Sequence, residues 1–81
     1  MTATLVQSTR VVDARGSFCP GPLMELIRAI RESGPGQVIS VYSSDSGSRI
    51  DIPKWVDKAG HRLIGLTAHD GYDEIVVEKT H

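Results

Sequence analysis

The chain has 81 residues, of which 40% are hydrophobic, and this is enough for the core of one small domain. Nine basic and ten acidic residues leave a formal net charge of −1. No cluster of Lys and Arg is present that would follow a phosphate backbone, which argues against direct nucleic-acid binding. We expect residues 1–81 to form a single domain in which residues 1–9 are flexible.

The cellular compartment is indicated by cysteine usage and by the start of the chain. Cys19 is the single cysteine, so the chain cannot form an internal disulfide bond. Residues 1–10 have neither a basic start nor a sustained apolar run. We therefore expect a cytoplasmic protein with no signal peptide, no membrane span and no membrane partner.

The first half of the chain predicts a strand, a helix and a strand. Residues 10–14 are typical of a short strand, and residues 23–31 repeat their apolar side chains at helical spacing. The Gly-Pro-Gly sequence at 34–36 ends this helix. Residues 38–43 alternate and are rich in β-branched side chains, which predicts the second strand.

The second half predicts another helix and a hairpin. Residues 44–51 are a polar connector, and Pro53 marks the start of a helix that ends at Gly60. The Asp70-Gly71 pair is typical of a type I′ turn, whose central positions both need positive φ. The strands on either side are 63–68, with Ile64, Leu66 and Ala68 on one face, and 72–78, with Ile75 and Val77 aligned.

This order predicts an α+β fold, a two-layer sandwich with βαβαββ topology. A right-handed crossover makes the first two strands parallel, and the final hairpin is antiparallel, so the four-stranded sheet is mixed. Because its strands mostly alternate apolar with polar residues, both helices should cover the same face. Cys19 would then follow the carboxyl end of the first strand, at the edge where open α/β sheets commonly bind ligands.

The sequence Cys-Pro-Gly-Pro at 19–22 comes directly before the first predicted helix. The first N–H groups of a helix lack intrahelical acceptors and favour an anion, so the pKa of a thiol, about 8.5 in free cysteine, falls at such a position. Pro20 and Pro22 suit a first helical turn and would hold the thiol at a rigid apex. A buried structural cysteine is the alternative, but Cys19 precedes the apolar stripe of the helix.

Other thiol chemistries lack the residues that they need. A dithiol centre requires a second cysteine, and a metal site requires three or four suitably spaced ligands. His61 and His69 are available as bases, but both fall in or beside the late strands, where we expect a solvated surface. A thiolate that accepts a group from one protein and passes it to another needs neither a base nor a cofactor. We accordingly expect no metal and no cofactor.

Residues 12–23, Val-Asp-Ala-Arg-Gly-Ser-Phe-Cys-Pro-Gly-Pro-Leu, resemble the signature of the TusA/SirA-like sulfur-carrier family, in which Cys-Pro-x-Pro follows an Asp-x-x-Gly strand end. The resemblance includes Asp51-Ile52-Pro53 and Gly60-His61, and it covers nearly all of residues 10–79. It implies a sulfurtransferase-type carrier that holds sulfane sulfur as a persulfide, or thiosulfate, on Cys19. The resemblance also implies a relay protein rather than a stand-alone turnover enzyme.

The resemblance also implies the partners. The sulfur donor would be a rhodanese, a DsrE-like protein or a cysteine desulfurase, and the acceptor would be a protein of sulfur oxidation or tRNA thiolation. We expect a monomer or a weak homo-oligomer. The residues alone decide neither the pathway nor the carried group.

Residues around the thiol have implied supporting roles. Pro20 and Pro22 would fix the apex, and Gly16 would permit the sharp approach of the chain. Asp13 is expected to make a turn or capping hydrogen bond rather than to act as a base. Arg15 either adds positive charge near the sulfur or is an exposed loop arginine.

Two other functions stay open at this stage. The order of elements also resembles small RNA-associated domains, such as the C-terminal domain of a bacterial initiation factor, which would use the uncovered face of the sheet. Alternatively, Cys19 is a redox sensor that is oxidised to sulfenic acid and pairs with another protein.

Overall fold

The computed structural model describes residues 9–17 and 21–81, and its elements follow the predicted order. Phe18, Cys19 and Pro20 lie outside the described residues, as do residues 1–8. None of the helices in the described part of the chain is long and apolar enough to cross a bilayer. The elements are β1 (Thr9–Asp13), α1 (Gly21–Arg31), β2 (Val38–Ser43), α2 (Ser48–Ala59), β3 (Arg62–His69) and β4 (Tyr72–Glu78).

The sheet is mixed, as predicted, with the strand order β1-β2-β4-β3. β1 and β2 are parallel, whereas β4 is antiparallel to both of its neighbours. Ser43, at the end of β2, is paired with Asp73, near the start of β4. The loop that leads from β1 to α1, the loop that leads from β2 to α2 and the β3–β4 hairpin therefore lie at the same edge of the sheet.

One face of the sheet and the inner faces of both helices form a single core. Its most buried members are at most 4% exposed, and Trp55 packs partly buried against it. Since both helices contribute to the same cluster, they cover the same face of the sheet, as the α+β prediction requires. The core residues are Ala14, Leu26, Ala29, Ile30, Ile39, Val41, Ile52, Val56, Ile75 and Val77.

The prediction that α2 starts at Pro53 is wrong, because the helix begins at Ser48 and contains Pro53 in its second turn. The polar character of the preceding residues suggested a connector. Ser48 is nevertheless only 1% exposed, and its hydroxyl lies 3.0 Å from Oγ of Ser43. A tertiary hydrogen bond thus makes a polar first turn compatible with burial, and sequence polarity alone could not reveal it.

The predicted alternation in β3 is also wrong at its first member. The register shifts between Leu63, which faces Val77, and Gly65, so that Ile64 is an extra residue in a β-bulge and is 51% exposed. Leu66 packs against the core as expected. Alternation with a period of two residues cannot show where a bulge interrupts it. The extra residue moves the side chains beyond the bulge to the opposite face of the sheet from the one that the alternation predicts.

Lys79 binds the C-terminal end of α1. Its Nζ donates to the carbonyl oxygens of Ile30 and Ser33, each at 2.6 Å. These contacts satisfy acceptors that the end of a helix leaves free, and a cation is favoured there by the helix dipole. The helix that follows Cys19 in the chain is therefore held to the sheet at its C-terminal end.

Candidate functional site

The residues that flank the thiol in sequence lie at the edge where both helices begin. Cys19 and Pro20 are outside the described residues. Asp13 ends β1, and Arg15 and Gly16 form the turn that follows. Pro22 is buried in the first turn of α1, less than 2% exposed.

Residues 14–17 form a type II β-turn. The N–H of Ser17 donates to the carbonyl oxygen of Ala14 at 3.1 Å, and Gly16 has a φ of +90°. No non-glycine residue of the described segments has a positive φ, so Arg15 is not in the left-handed region. Negative φ at the first central position and positive φ at the second define this turn type, and they explain why glycine occupies position 16.

Asp13 and Arg15 form a bidentate ion pair at this turn. Nε of Arg15 lies 2.8 Å from Oδ1 of Asp13, and Nη2 lies 2.7 Å from Oδ2. The backbone N–H of Arg15 also donates to Oδ1 at 3.2 Å. These hydrogen bonds, first of all those from the guanidinium, lower the pKa of Asp13 from 3.8 to about 2. A carboxylate with so low a pKa is a poor base at neutral pH, and its hydrogen bonds tie the end of β1 to Arg15 in the turn.

Replacing Arg15 with glutamine is expected to return the pKa of Asp13 towards 3.8, because the main contacts that stabilise the carboxylate are removed. The folded pKa of about 2 lies below the unfolded value, so this group stabilises the fold above about pH 4 and the contribution is lost as the pH falls towards 2. An NMR titration of the Asp13 carboxyl carbon measures the shift, with Lys54→Gln as the control. A pKa that stays near 2 in Arg15→Gln would exclude the ion pair as its cause.

The guanidinium of Arg15 lies over two tyrosine rings on the open face of the sheet. Its Cζ is 4.9 Å from the centroid of Tyr72 and 5.5 Å from that of Tyr42, and the ring centroids are 5.3 Å apart. Arg15 is thus paired with a carboxylate and stacked on aromatic rings, and its side chain is 46% exposed. Sequence analysis did not link these tyrosines to the turn, although strand alternation could have placed them on the open face.

A second contact comes from the loop between β2 and α2. The N–H of Gly16 donates to Oγ of Ser44 at 2.9 Å. The sequence contains no signal for this bond, because its two residues are 28 positions apart and its donor is a backbone group. The turn before the thiol is therefore held both from its own strand and from a neighbouring loop.

The two described ends of the thiol-bearing segment lie next to each other. A Cβ atom placed on Gly21 would be 3.2 Å from Cβ of Ser17, which is closer than ordinary van der Waals contact. Glycine at the third position of Cys-Pro-Gly-Pro removes this conflict. The first turn of α1 has no acidic side chain, so none of its own side chains offsets the partial positive charge of its N–H groups.

The two histidines that sequence analysis considered lie at opposite ends of β3, which separates them by roughly 25 Å. His69 is exposed, stacks on Tyr72 at 4.8 Å and contacts Glu74 at 2.8 Å. His61 is half-buried rather than on a solvated surface, because it packs between Trp55 and His81. Partial burial, followed by the charges of His81 and Lys79, lowers its pKa. His61 is thus far from the edge where the thiol segment begins.

The fold and this segment define a class of small α+β domain, one that carries a single cysteine just ahead of its first helix. The family model of Sulfurtransferase TusA matches residues 10–79. The chain therefore belongs to the TusA family.

Relatives from archaea and bacteria align over most of the chain. A protein of Archaeoglobus fulgidus is 54% identical over 69 residues, which are 85% of this chain and 94% of that protein. Sulfur carrier protein TusA of Pseudomonas entomophila is 43% identical over 60 residues, which are 74% of this chain and 75% of that protein.

A solved structure has the same fold. The SirA-like protein of Desulfitobacterium hafniense superposes with a TM-score of 0.78 at 25% sequence identity, and the match covers 91% of this chain and 100% of that one. This similarity supports the α+β prediction independently of the sequence pattern.

Proposed function

We propose that this protein is a sulfur carrier in which Cys19 takes sulfane sulfur from one protein and delivers it to another. The observation that carries the proposal is that the single cysteine of the chain stands in Cys-Pro-Gly-Pro, within the part matched by the TusA family. Proteins named sulfur carrier protein TusA are among its relatives. A carrier with one thiol needs no base of its own, since each partner supplies the chemistry.

The proposed reaction consists of two exchanges at sulfur. The thiolate of Cys19 attacks the terminal sulfur of a donor persulfide, the S–S bond of the donor breaks, and the donor thiolate leaves with its electron pair. Cys19 then holds the persulfide. An acceptor thiolate attacks the same terminal sulfur and releases the thiolate of Cys19, so neither exchange needs an external oxidant or reductant.

The surroundings of the segment support this chemistry in two ways. The first turn of α1 has no acidic side chain, which favours an anion at the start of this helix. Because Arg15 is paired with Asp13, the preceding turn presents no unpaired carboxylate that would repel an anion. A thiolate and a persulfide anion would both be stabilised by the free N–H groups of a helix start.

In the proposed mechanism, partner proteins approach the edge of the sheet where both helices begin. Met24 in α1 and Ile50 in α2 are 58% and 65% exposed, and both lie in the first turn of their helices. Exposed apolar side chains at this edge suit transient protein contact. We propose a cytoplasmic relay with a rhodanese, a DsrE-like protein or a cysteine desulfurase as the donor. Its acceptor would belong to sulfur oxidation or tRNA thiolation.

Intact-mass spectrometry of the protein after incubation with inorganic polysulfide tests the proposal. We expect the mass to increase by one or more sulfur atoms and to return to its original value after treatment with dithiothreitol. Protein alkylated beforehand with iodoacetamide is the control and should gain nothing. Tetrathionate in place of polysulfide shows whether a thiosulfate group is also carried.

Two results would contradict the proposal. Protein that gains no sulfur, while hydrogen peroxide readily oxidises Cys19, would favour the redox-sensor alternative. Protein that gains no sulfur but binds tRNA tightly, with steep dependence on salt, would favour the RNA-binding alternative.

A further inference from the structure

The turn that leads to the thiol is held by a residue from another loop. Ser44 follows β2, and its Oγ accepts the N–H of Gly16 at 2.9 Å. The neighbouring Ala14 donates its N–H to the carbonyl oxygen of Tyr42 at 2.9 Å, which continues the pairing of β1 with β2. Residues 14 and 16 are therefore both anchored to the chain segment 42–44.

The bond to Ser44 acts on the one peptide unit that distinguishes the common turn types. Types I and II differ mainly by a flip of the central peptide, which here joins Arg15 to Gly16. The N–H of this peptide is the group that Ser44 binds. A flip would turn the N–H away from the hydroxyl, so Ser44 stabilises the type II orientation over its alternative.

Ser44 can do this because its own loop is fixed. Oγ of Ser43 lies 3.0 Å from Oγ of Ser48 in a buried contact, and it accepts the N–H of Asp45 at 3.1 Å. Ser43 and Ser48 are at most 1% exposed. Ser44 thus lies in the chain between Ser43 and Ser48, two buried residues whose contact fixes the end of β2 against the start of α2.

We propose that Ser44 is a positioning residue for Cys19: its hydroxyl fixes the turn at 14–17 and so sets the direction in which the chain enters the thiol-bearing segment. The inference rests on the proposed function, in which Cys19 is the reacting group. It adds a residue outside the family signature, and it connects the loop after β2 to the reactivity of the thiol.

The experiment compares the pH dependence of iodoacetamide alkylation in the wild type, Ser44→Ala, Ser44→Thr and Ser46→Ala. The measured rate belongs to Cys19, because the chain has no other cysteine. We expect Ser44→Ala to react about two- to tenfold more slowly at neutral pH, the range that loss of one hydrogen bond allows. The midpoint of its profile should move to higher pH.

The two other variants separate positioning from a general effect on the loop. Ser44→Thr keeps the hydroxyl that accepts the N–H of Gly16. Its rate should therefore stay within about twofold of the wild-type rate, a smaller change than the loss of one hydrogen bond produces. Ser46→Ala changes an exposed serine of the same loop and should leave the profile unchanged. A wild-type profile in Ser44→Ala, or a Ser44→Thr variant as slow as Ser44→Ala, would overturn the proposal.

Amide hydrogen exchange at Gly16 gives a second measurement that needs no reaction of the thiol. We expect protection of this amide in the wild type and its loss in Ser44→Ala. An unprotected Gly16 amide in the wild type overturns the proposal even if Ser44→Ala fails to fold. Neither alkylation nor exchange involves sulfur transfer, so failure of the sulfur-loading test would contradict the proposed function and leave these two results interpretable.

Discussion

Replacing Cys19 with serine is expected to abolish the gain of sulfur in the polysulfide assay. A serine hydroxyl is not ionised at neutral pH, and only a thiolate of the kind that Cys19 supplies attacks a persulfide to form an S–S bond. Since the chain has no second cysteine, no other side chain can take over. Intact-mass spectrometry under identical loading conditions measures the loss directly.

The interpretation requires that the serine variant folds like the wild type, which far-UV circular dichroism and the urea midpoint both report. Ser46→Ala, an exposed serine in the loop after β2, should load as much sulfur as the wild type. If folded Cys19→Ser protein gains as much sulfur as the wild type, the sulfur is bound elsewhere and the carrier hypothesis is wrong.

Replacing Leu26 with alanine is expected to lower the free energy of unfolding by about 2–5 kcal/mol, the cost of removing a buried leucine side chain and leaving a cavity. Leu26 lies in the middle of α1, is 0% exposed and belongs to the single core cluster. A domain of this length has a total stability of roughly 4–12 kcal/mol. The variant should therefore lose a large fraction of it, and urea denaturation followed by circular dichroism gives the value.

Met24→Ala is the matched control, since Met24 lies on the same helix but is 58% exposed. We expect its free energy of unfolding to change by no more than about 0.5 kcal/mol, as for most surface substitutions. Equal losses in the two variants would mean that α1 does not bury the face on which Leu26 lies, and that the core assignment is wrong.

The sequence predicted the elements whose signals are local. β2 was predicted at residues 38–43 and is found there. The predicted end of α2 at Gly60 is confirmed, since Gly60 is a left-handed C-cap with a φ of +81°. Three predictions of the fold were wrong. The Asp70-Gly71 turn is not of type I′, because that type needs a positive φ at both central positions, and among the described residues only glycines, here Gly71, have one. A buried hydrogen bond between Ser43 and Ser48 allows α2 to begin in a polar stretch, and a bulge at Ile64 interrupts the alternation of β3.

The residues of the candidate site also divide into those with a local sequence signal and those placed only by tertiary contacts. Cys19 and its prolines were selected because their residue types and positions indicate a thiol at the start of a helix, and Asp13, Arg15 and Gly16 because the same contiguous stretch resembles the family signature. Tyr42, Tyr72 and Ser44 were missed. Each contacts the turn from a distant part of the chain, and Ser44 does so through a backbone N–H that no side-chain pattern identifies.

By itself, the sequence determined the α+β class, the order of the elements and a single cysteine ahead of the first helix, because these depend on periodicity, turn residues and a short motif. The tertiary structure alone decided that Arg15 is paired and stacked rather than free, and that Ser44 binds the turn before the thiol. The physical reason is that a hydrogen bond or a ring contact depends on distance in space. Parallel pairing of β1 with β2 brings together residues that lie 28 positions apart in the chain.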